Sequence, residues 1–563
     1  MDFKNEIVTL LSKVINDLSV EEINDLIEVP SNPQMGDFAF PCFKLAKVFR
    51  KAPNMIASDI VEAIEESNMF SEIKQVGAYV NFYVNKQKFI ENVLSTGQLS
   101  EKLSDGNGKT IVLDYSSPNI AKPFHIGHLR TTIIGNSLYN IYEHLGYKCV
   151  GVNHLGDWGT QFGKLIVAYK KWGSKEEIEK NGINELIKIY VKFHDEAEKD
   201  SELDDEARAW FTKMENGNEE ALDLWQWFKD ISLKEFKKVY NMLDIEFDSY
   251  AGESFYNDKM EDVINELEDK DLIKISEGAK IVLLEEENMP PCLITKKDGS
   301  TLYATRDITA AIYRKNTYDF EKCIYVTAFD QNLHFAQWFK VIEKMGYDWS
   351  DKLIHVPYGL VSMESGKLSS RKGKVIYLDD LLNESIEKTK KIIEEKNPNL
   401  ENKDKIAKDV GIGAILFNDL YNNRIKDVVF SWDKVLNFDG ETGPYVQYTH
   451  ARASSVLRKA NYDMNESKDI DYSLLTDDLA FAVVKTLERF SNVVRDSANK
   501  LEPSFISRYV VDLAQDFNRF YHNCPILVDD VKLRDARLKL VYNVKVIIKE
   551  SLNLLGIKAP EQM

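Results

Sequence analysis

The pattern of residues 110–153 constrains the fold of this chain more than any other feature. Residues 110–115 form an apolar run typical of a buried strand, and residues 149–153 form a second one. Between them, residues 126–145 repeat apolar side chains at helical spacing, and Gly146 is a typical helix stop. Strand, helix and strand in this order predict a parallel sheet with a right-handed crossover.

The turn His125-Ile126-Gly127-His128 lies where the first strand passes into the helix. Ligands of parallel sheets bind beyond the carboxyl ends of the strands, so we expect a site there. Unpaired N–H groups and the positive end of the helix dipole attract phosphate. Gly127 lets adenine or ribose approach the backbone, and the two histidines can donate hydrogen bonds to phosphoryl oxygens. The turn therefore predicts a nucleoside triphosphate site.

A basic block at residues 366–374, with the sequence GKLSSRKGK, is the second candidate for phosphate chemistry. Its cations, glycines and serines predict a loop that folds over a triphosphate and neutralises the charge of the departing pyrophosphate. The alternative is a solvated surface loop. The histidine turn upstream favours the phosphate role.

Length and composition restrict the class of protein. A chain of 563 residues should hold three or four domains at about 150 residues each. The net charge of −19 argues against general coating of nucleic acid, although a local basic track can still bind RNA. The five cysteines are scattered, which predicts reduced thiols, a cytoplasmic protein and no structural zinc. The charged start and the lack of a long apolar stretch predict neither signal peptide nor membrane span.

The predicted fold class is α/β, in three parts. Residues 1–105 are expected to form a small α+β domain, ending in a linker at residues 104–108. Residues 106–400 are expected to form a Rossmann-like parallel-sheet domain with a helical insertion at about 174–240. Residues 401–563 are expected to be all-helical, and the helical pattern already begins near residue 385.

Several motifs together resemble the class I aminoacyl-tRNA synthetases and, within them, the arginyl-tRNA synthetase family. The motifs occur in the family's order and are SSPNIAKPFHIGHLR at 116–130, GDWGTQFG at 156–163, YATRD at 303–307, QNLHF at 331–335 and GPYVQYTHAR at 443–452. The amino-terminal region and residues 555–563 are also similar. One departure concerns the basic block, where Leu368 and Ser370 replace the Met and the second Lys of the usual Lys-Met-Ser-Lys-Ser loop.

The resemblance implies which residues bind each substrate. Arginine would contact Ser117, Asn119, His128, Glu253, Tyr303, Asp307 and Gln331, and ATP would contact His125, Gly127, His128 and Lys372. The catalytic groups would be His125, His128, Lys122, Lys367, Arg371 and Lys372, and of these Lys122, Arg371 and Lys372 are the candidates to replace the missing lysine.

Physical chemistry supports two of these assignments. A guanidinium is planar and permanently charged, so its pocket needs carboxylates at fixed angles. Tyr303 and Asp307 are four residues apart and would share one face of a helix. The alternative is that both residues only cap and pack that helix. A pocket built for a planar fork should reject lysine, because unpaired buried acceptors cost about 1–3 kcal/mol each.

The resemblance also implies the reaction and its partners. Arginine and Mg-ATP would form arginyl-adenylate, and the 2′-hydroxyl of the terminal adenosine of tRNA(Arg) would then take the arginyl group. The family is usually monomeric, and the first step is expected to require bound tRNA. Anticodon contacts would come from Tyr445, Gln447, Tyr448 and Arg452, and contacts to the tRNA elbow from Tyr79 and Asn81. Packing in the core is an equal alternative for these tRNA-binding candidates.

Two other functions remain open from the sequence. The first is a non-catalytic relative that binds tRNA or arginine as a sensor, and intact His125, His128 and Asp307 argue against it. The second is another class I ligase, for glutamine, cysteine or lysine, and the set Tyr303, Asp307 and Glu253 disfavours it.

Overall fold

The computed structural model describes residues 3–30, 32–95, 99–122, 124–297, 299–363, 377–463 and 469–563. The chain forms two compact units, each assembled from separate segments. The smaller unit contains Met1–Ser100, Ala453–Phe490 and Asp512–Ile547, and the larger unit contains Glu101–Arg452, Ser491–Val511 and Ile548–Met563.

The amino-terminal part of the smaller unit is an antiparallel sheet with helices. Its elements are α1 (Phe3–Ser12), α2 (Val20–Leu26), β1 (Phe38–Pro41), α3 (Leu45–Phe49), α4 (Pro53–Ala63), β2 (Phe70–Val76), β3 (Tyr79–Val84) and α5 (Lys86–Ser95). The sheet has the order β1-β3-β2. Phe3 of α1 packs against Phe70 and Phe89, with ring centroids 6.1 and 5.1 Å apart, so the core lies between the sheet and the helices.

The larger unit begins with the predicted strand, helix and strand. These are β4 (Thr110–Asp114), α6 (Gly127–His144) and β5 (Lys148–Val152), and β4 pairs with β5 in parallel. Gly146 follows the helix with a φ of +81°, a left-handed conformation that glycine adopts without strain. The prediction for residues 110–153 is confirmed.

The next elements complete the larger unit's sheet. They are α7 (Thr160–Trp172), α8 (Lys175–Asn181), α9 (Ile183–Ala197), α10 (Glu202–Glu215), α11 (Glu219–Leu243), α12 (Met260–Asp269), β6 (Ile273–Ser276), β7 (Ala279–Val282), β8 (Cys292–Thr295), α13 (Tyr303–Tyr318), β9 (Phe320–Ala328), α14 (Asn332–Lys344) and β10 (Leu353–Tyr358). The central sheet has the order β10-β9-β4-β5, with every pair parallel. β5 therefore lies on one side of β4 and β9 and β10 lie on the other, and the change of direction between β4 and β9 opens a crevice at their carboxyl ends.

The core beside this sheet is apolar and closely packed. Trp338 of α14 is fully buried and packs against Tyr325 of β9, with ring centroids 5.2 Å apart. Ile308 of α13 is equally buried in the same cluster. The two helices that flank β9 are thus held on the sheet by burial of large side chains, which fixes where their amino-terminal residues lie.

The remaining elements are mostly helices. They are β11 (Val361–Met363), α15 (Leu378–Lys396), α16 (Lys403–Leu420), β12 (Val428–Phe430), α17 (Trp432–Val435), α18 (Gly443–Lys459), α19 (Asp478–Glu488), α20 (Phe490–Lys500), α21 (Ser504–Asn523) and α22 (Val531–Leu554). β11 and β12 pair in parallel, so one short strand lies in the region with the helical pattern. Three residues are too few to show the alternation of a strand, and the partner strand is remote in sequence.

The predicted fold class is confirmed, with a parallel-sheet domain, a small α+β domain at the amino terminus and a helical carboxyl-terminal region. The compact units group residues by contact and not by chain order, so the domain boundaries after residues 105 and 400 stay predictions. Within the described ranges, none of the helices has the length and apolar character needed to cross a membrane.

Candidate active site

The chain between β4 and α6 adopts a strained conformation. Ser116, Ser117 and Ala121 have φ values of 72°, 46° and 57°, in the left-handed region that non-glycine residues rarely adopt. The Ser116 N–H donates to Thr131 Oγ1 at 3.1 Å, and its hydroxyl lies 2.7 Å from the Tyr240 hydroxyl. The surrounding structure therefore holds this segment in one conformation against its own preference.

The histidine turn, residues 125–128, fixes the tautomers of both its imidazoles. The Gly127 N–H donates to His125 Nδ1 at 3.0 Å, and the His125 N–H donates to His128 Nδ1 at 3.2 Å. Burial lowers the pKa of His125 and lowers that of His128 to about 3, so both rings are neutral at pH 7. Because each Nδ1 accepts a hydrogen bond, each proton lies on Nε2, which leaves two neutral N–H donors for phosphoryl oxygens.

The first N–H groups of α6 already have acceptors, which differs from our expectation of unpaired donors. The Gly127 N–H is bound by His125 Nδ1, the His128 N–H by the His125 carbonyl at 2.8 Å, and the Leu129 N–H by the Ile126 carbonyl at 3.0 Å. A Cβ on Gly127 would lie 2.7 Å from the His125 ring, so glycine is needed here to admit that ring. The imidazole N–H groups and the helix dipole are therefore the features of this turn that suit a phosphate.

Ser117 is anchored by a buried charge network. Its hydroxyl donates to Asp114 Oδ1 at 2.9 Å, and the other carboxylate oxygen of Asp114 pairs with Arg314 Nη2 at 2.8 Å. Arg314 is also 3.4 Å from His154 Nδ1, and the His154 N–H donates to the Ser117 hydroxyl at 3.2 Å. The ends of β4 and β5 and the middle of α13 thus jointly position the serine predicted to bind arginine.

Glu253 is the first of two carboxylates in a cluster that we call the acidic pair, Glu253 and Asp307. Glu253 opens a 3₁₀ turn, Glu253–Lys259, and its N–H donates to the Leu155 carbonyl at 2.9 Å. Its carboxylate lies 3.6 Å from Arg306 Nη1. Burial raises the pKa of Glu253 to about 7; Arg306 counteracts the shift, and Asp307 and Asp157 add to it.

Asp157 clamps the segment that carries Glu253. Its carboxylate is completely buried and accepts hydrogen bonds from the Ser254 N–H and the Ser254 hydroxyl, both at 2.8 Å. Lys229 of α11 pairs with the same carboxylate at 2.6 Å, and Trp225 Nε1 donates to the Asp157 carbonyl at 2.7 Å. The helical insertion therefore contributes directly to the position of Glu253.

Asp307 lies in the second turn of α13 and has a histidine partner. His334 Nε2 of α14 is 2.6 Å from Asp307 Oδ2. Tyr303, at the start of α13, is 63% exposed, and Gln331 lies exposed in the turn Phe329–Gln331 before α14. These are the residues that the sequence predicted to surround arginine.

The parts of the site meet at one edge of the sheet. Segments 115–126, 153–159 and 329–331 follow β4, β5 and β9, so all leave the carboxyl edge of parallel strands. α13 ends where β9 begins, so its amino-terminal residues return to that edge. The charges of Asp114, Arg314, Asp307 and Asp157 all act on His154, which places the acidic pair close to the Ser117 network.

A cavity of about 590 Å³ is lined in part by Arg306, the residue that precedes Asp307 in α13. It lies between α10 of the insertion and the start of α13, and its lining includes Trp158, Phe211, Arg208, Tyr303 and Arg306. Arg306 therefore borders both the cavity and Glu253. The cavity provides room for a ligand group beside the predicted arginine pocket.

Models of three known domains match this chain. The domain described as "tRNA synthetases class I (R), catalytic domain" matches residues 89–432. The arginyl tRNA synthetase N terminal domain matches residues 3–84, and the DALR anticodon binding domain matches residues 446–563.

Comparison with whole proteins agrees. The arginine–tRNA ligases of Alkaliphilus metalliredigens and Clostridioides difficile are 59% and 60% identical over 566 and 567 residues, covering 100% of each chain.

The chain belongs to the arginyl-tRNA synthetase family. A solved arginyl-tRNA synthetase from Plasmodium falciparum superimposes with a TM-score of 0.79 at 27% identity, covering 99% of this chain and 98% of that one.

The family's predicted tRNA-binding residues have different environments in this chain. In the smaller unit, Tyr79 is half-buried, whereas Asn81 is 0% exposed and its side-chain amide donates to the Met35 carbonyl. In the larger unit, Gln447 is equally buried and donates to the carbonyls of Asp409 and Lys558 at 3.1 and 2.8 Å. These bonds favour the packing alternative for Asn81 and Gln447.

The other candidates on α18 remain accessible. Tyr448 is 43% exposed, and the guanidinium of Arg452 lies 5.0 Å from its ring centroid. Tyr445 is half-buried on the same helix. An exposed tyrosine supported by an arginine is a suitable surface on which an unstacked base can lie.

Some predicted catalytic residues lie outside the described part of the chain. They are Lys367, Arg371 and Lys372 of the basic block. The described chain resumes at Tyr377, whose backbone pairs with His125. Lys122 and Asn119 lie on the exposed side of the segment after β4. Among the described residues, no cluster of three or more His, Cys, Asp or Glu side chains is placed to hold a metal ion.

The residues that position the site were not predicted from the sequence. Asp114, Arg314 and Lys229 belong to no sequence motif. Arg306 and His334 belong to family motifs, but these two residues had no assigned role. Only one signal was available, namely that buried charges need a partner of opposite sign. The sequence does not show which charges are buried.

Proposed function

We propose that this chain is an arginine–tRNA ligase that forms arginyl-adenylate and transfers arginine to tRNA(Arg). The observation that carries the proposal is that a turn with two neutral imidazole donors and a pair of carboxylates occupy the same edge of one sheet. The first suits a triphosphate and the second suits a guanidinium. Class I synthetases use ATP, which agrees with the first of these sites.

In the first step, a carboxylate oxygen of arginine attacks the α-phosphorus of ATP. A new P–O bond forms, the bond to the β-phosphate bridging oxygen breaks, and pyrophosphate leaves with the electron pair. We propose that His125, Gly127 and His128 bind the nucleotide and that the imidazole N–H groups stabilise the charge that develops on the phosphates. Lys122, Lys367, Arg371 and Lys372 are the proposed cations for pyrophosphate, and magnesium enters as part of the Mg-ATP substrate.

In the second step, the 2′-hydroxyl of the terminal adenosine attacks the acyl carbon, and AMP leaves. Both steps need positioning and charge stabilisation and no covalent intermediate with the protein. Ser117, Asn119, His128 and Gln331 are proposed to hold the backbone end of arginine.

Specificity for arginine is proposed to come from Glu253, Tyr303 and Asp307. Two carboxylates at fixed positions match the forked donors of a guanidinium. A lysine ammonium would leave acceptors of this pocket unpaired, at about 1–3 kcal/mol each. Discrimination against lysine should therefore be strong without a hydrolytic editing site.

We further propose how the chain engages tRNA and where it works. Residues 1–105 would contact the tRNA elbow through Tyr79, and residues 401–563 would bind the anticodon through Tyr445, Tyr448 and Arg452. Residues 106–400 would hold the catalytic site. The protein would act as a cytoplasmic monomer, with its first step dependent on bound tRNA.

The test is ATP–pyrophosphate exchange, measured with and without tRNA and with arginine, lysine or glutamine. We expect exchange with arginine and tRNA together, and only background exchange with lysine or glutamine. Exchange with another amino acid would refute the assigned specificity. Binding of tRNA without exchange for any amino acid would instead favour a non-catalytic sensor.

A further inference from the structure

We propose that Arg306 is a positioning residue that keeps Glu253 charged, so that the carboxylate is ready to receive the guanidinium of the substrate. The inference rests on the proposed function of Glu253 in binding arginine. Arg306 would then be a positively charged residue of the chain that acts inside a pocket for a positively charged substrate.

The geometry places Arg306 across the segment that carries Glu253. Its Nη1 lies 3.6 Å from Glu253 Oε2, and its Nη2 lies 3.5 Å from Asn257 Oδ1. Both partners belong to the 3₁₀ turn Glu253–Lys259, whereas Arg306 belongs to α13. One guanidinium therefore links the helix that carries Asp307 to the turn that carries Glu253.

Arg306 interacts with Glu253 mainly through its charge and does not form a tight hydrogen bond with it. Charge-assisted N–H···O bonds are about 2.7–2.9 Å long, shorter than the 3.6 Å observed. Arg306 Nε is buried and has no hydrogen-bond partner among the described residues, so the guanidinium is not saturated by its surroundings. An arginine whose purpose was only to lock the turn would be expected to form the bidentate geometry that this side chain favours.

The other charges around Glu253 explain why such a cation is needed. Asp307 on α13 and Asp157 after β5 both face Glu253 with like charge, although Lys229 neutralises part of the Asp157 charge. Burial and two neighbouring carboxylates favour protonation, while Arg306 and the Trp158 backbone N–H favour the ionised form. Without Arg306, Glu253 would hold a proton at neutral pH and could not form an ion pair with the substrate.

The wall of the adjoining cavity offers a matched control. Arg208 on α10 lines the same cavity as Arg306, but its guanidinium is exposed and pairs with Asp205 on its own helix. Substitution of Arg208 therefore removes the same charged group from the same cavity without removing a described partner of Glu253.

The experiment compares Arg306→Gln, Arg306→Lys and Arg208→Gln in the full chain. The Michaelis constants of arginine and ATP are measured in tRNA charging from about pH 6.5 to about pH 9, on either side of the Glu253 transition. We expect Arg306→Gln to raise the arginine constant about fivefold at pH 7, with an excess that shrinks as pH rises, because a rise of about one unit from a pKa of about 7 lowers the ionised fraction of Glu253 about fivefold at that pH. The ATP constant should stay within about twofold, and Arg306→Lys and Arg208→Gln should resemble the parent.

A second measurement separates an electrostatic role of Arg306 from a purely structural one. In a Glu253→Gln background no carboxylate remains to be ionised, so adding Arg306→Gln should cause no further loss of arginine affinity and no pH dependence. Additive losses in that background would overturn the inference. So would a loss in Arg306→Gln that is equal at all pH values or equal for arginine and ATP.

The inference and the proposed function fail in different ways. If the parent chain does not charge tRNA with arginine, the proposed function is wrong. If the parent charges arginine and Arg306→Gln keeps its affinity and pH profile, only the role of Arg306 is wrong.

Discussion

The histidine turn and the acidic pair are neighbours on one sheet edge, yet they are built on opposite principles. Residues 125–128 are contiguous, and their imidazoles are neutral because burial lowers both pKa values. Glu253 and Asp307 come from separate segments, and each has a partner from another segment of the chain, the guanidinium of Arg306 for Glu253 and the imidazole of His334 for Asp307. In the proposed function, the turn donates hydrogen bonds to an anion, and the pair accepts them from a cation.

The comparison teaches how one crevice can bind substrates of opposite charge. Neutral donors bind phosphate without repelling the guanidinium held nearby, whereas two histidinium ions would do so. Glu253 carries its charge only with help from neighbouring groups, since burial raises its pKa to about 7 even though Arg306 counteracts the shift. Substitutions in the histidine turn should therefore affect ATP and the chemical step, whereas substitutions in the acidic pair should affect arginine.

The largest effect is expected from the turn. His125→Ala removes a proposed Nε2–H donor to the phosphates, and loss of one such donor typically lowers kcat about 10²–10³-fold. The dissociation constant of arginine, measured by calorimetry, should change little, because His125 has no proposed contact with that substrate. If arginine affinity falls as much as kcat, the histidine turn and the acidic pair do not act independently.

The acidic pair should give the converse result. Asp307→Ala removes a charge-assisted partner of the guanidinium, so the arginine Michaelis constant should rise about 10- to 100-fold. The ATP Michaelis constant should stay within about twofold of the parent value, since Asp307 has no proposed contact with ATP. Steady-state charging with each substrate varied in turn checks this, and equal effects on both constants would refute the assigned role of Asp307.

A pH series sharpens the comparison without any mutation. The pKa of Glu253 is about 7, so its carboxylate is lost as pH falls through that value, and the arginine Michaelis constant should rise about three- to tenfold between pH 7 and pH 6. The ATP constant should change much less, because burial lowers the pKa of His128 to about 3 and also lowers that of His125. A rise in the ATP constant over the same range would contradict the neutral state of the imidazoles.

The smallest effect is expected from a residue that acts through another. Lys229→Met removes the partner of buried Asp157 and loosens the turn that carries Glu253, so we expect about a two- to fivefold rise in the arginine constant. Lys238→Met on the same helix is the control, because exposed Lys238 pairs with Glu235 of its own helix. If both variants behave alike, the Asp157 clamp does not position Glu253.

The sequence predicted those parts of the molecule that depend on neighbouring residues. The strand, helix and strand of residues 110–153 appeared in the structure with Gly146 at the helix end, because periodicity and helix stops are local properties. The unpaired N–H groups expected at the start of α6 did not appear, because the His125 side chain and backbone fold back onto them. Motifs show which residues occur together, and they do not show which hydrogen bonds those residues already use.

Burial was the property that the sequence left open. Tyr79 and Asn81 are two positions apart on one strand, and nothing in the sequence around them indicates that Asn81 would be completely buried. Gln447 and Tyr448 are adjacent, yet one ties together backbone segments and the other is exposed. The candidates for tRNA contact could therefore be named from the sequence but not separated from the core.

The amino-acid sequence by itself determined the fold class, the family and the residues that can carry the chemistry, because these follow from periodicity and from residue types at fixed spacing. The tertiary structure alone decided the protonation states. Whether a histidine is neutral or a glutamate is charged depends on which groups the fold buries and which opposite charges it brings within a few ångströms. Asp157, Lys229, Glu253 and Arg306 are far apart in the chain, and only the packing of α11 and α13 beside the sheet makes them one electrostatic system.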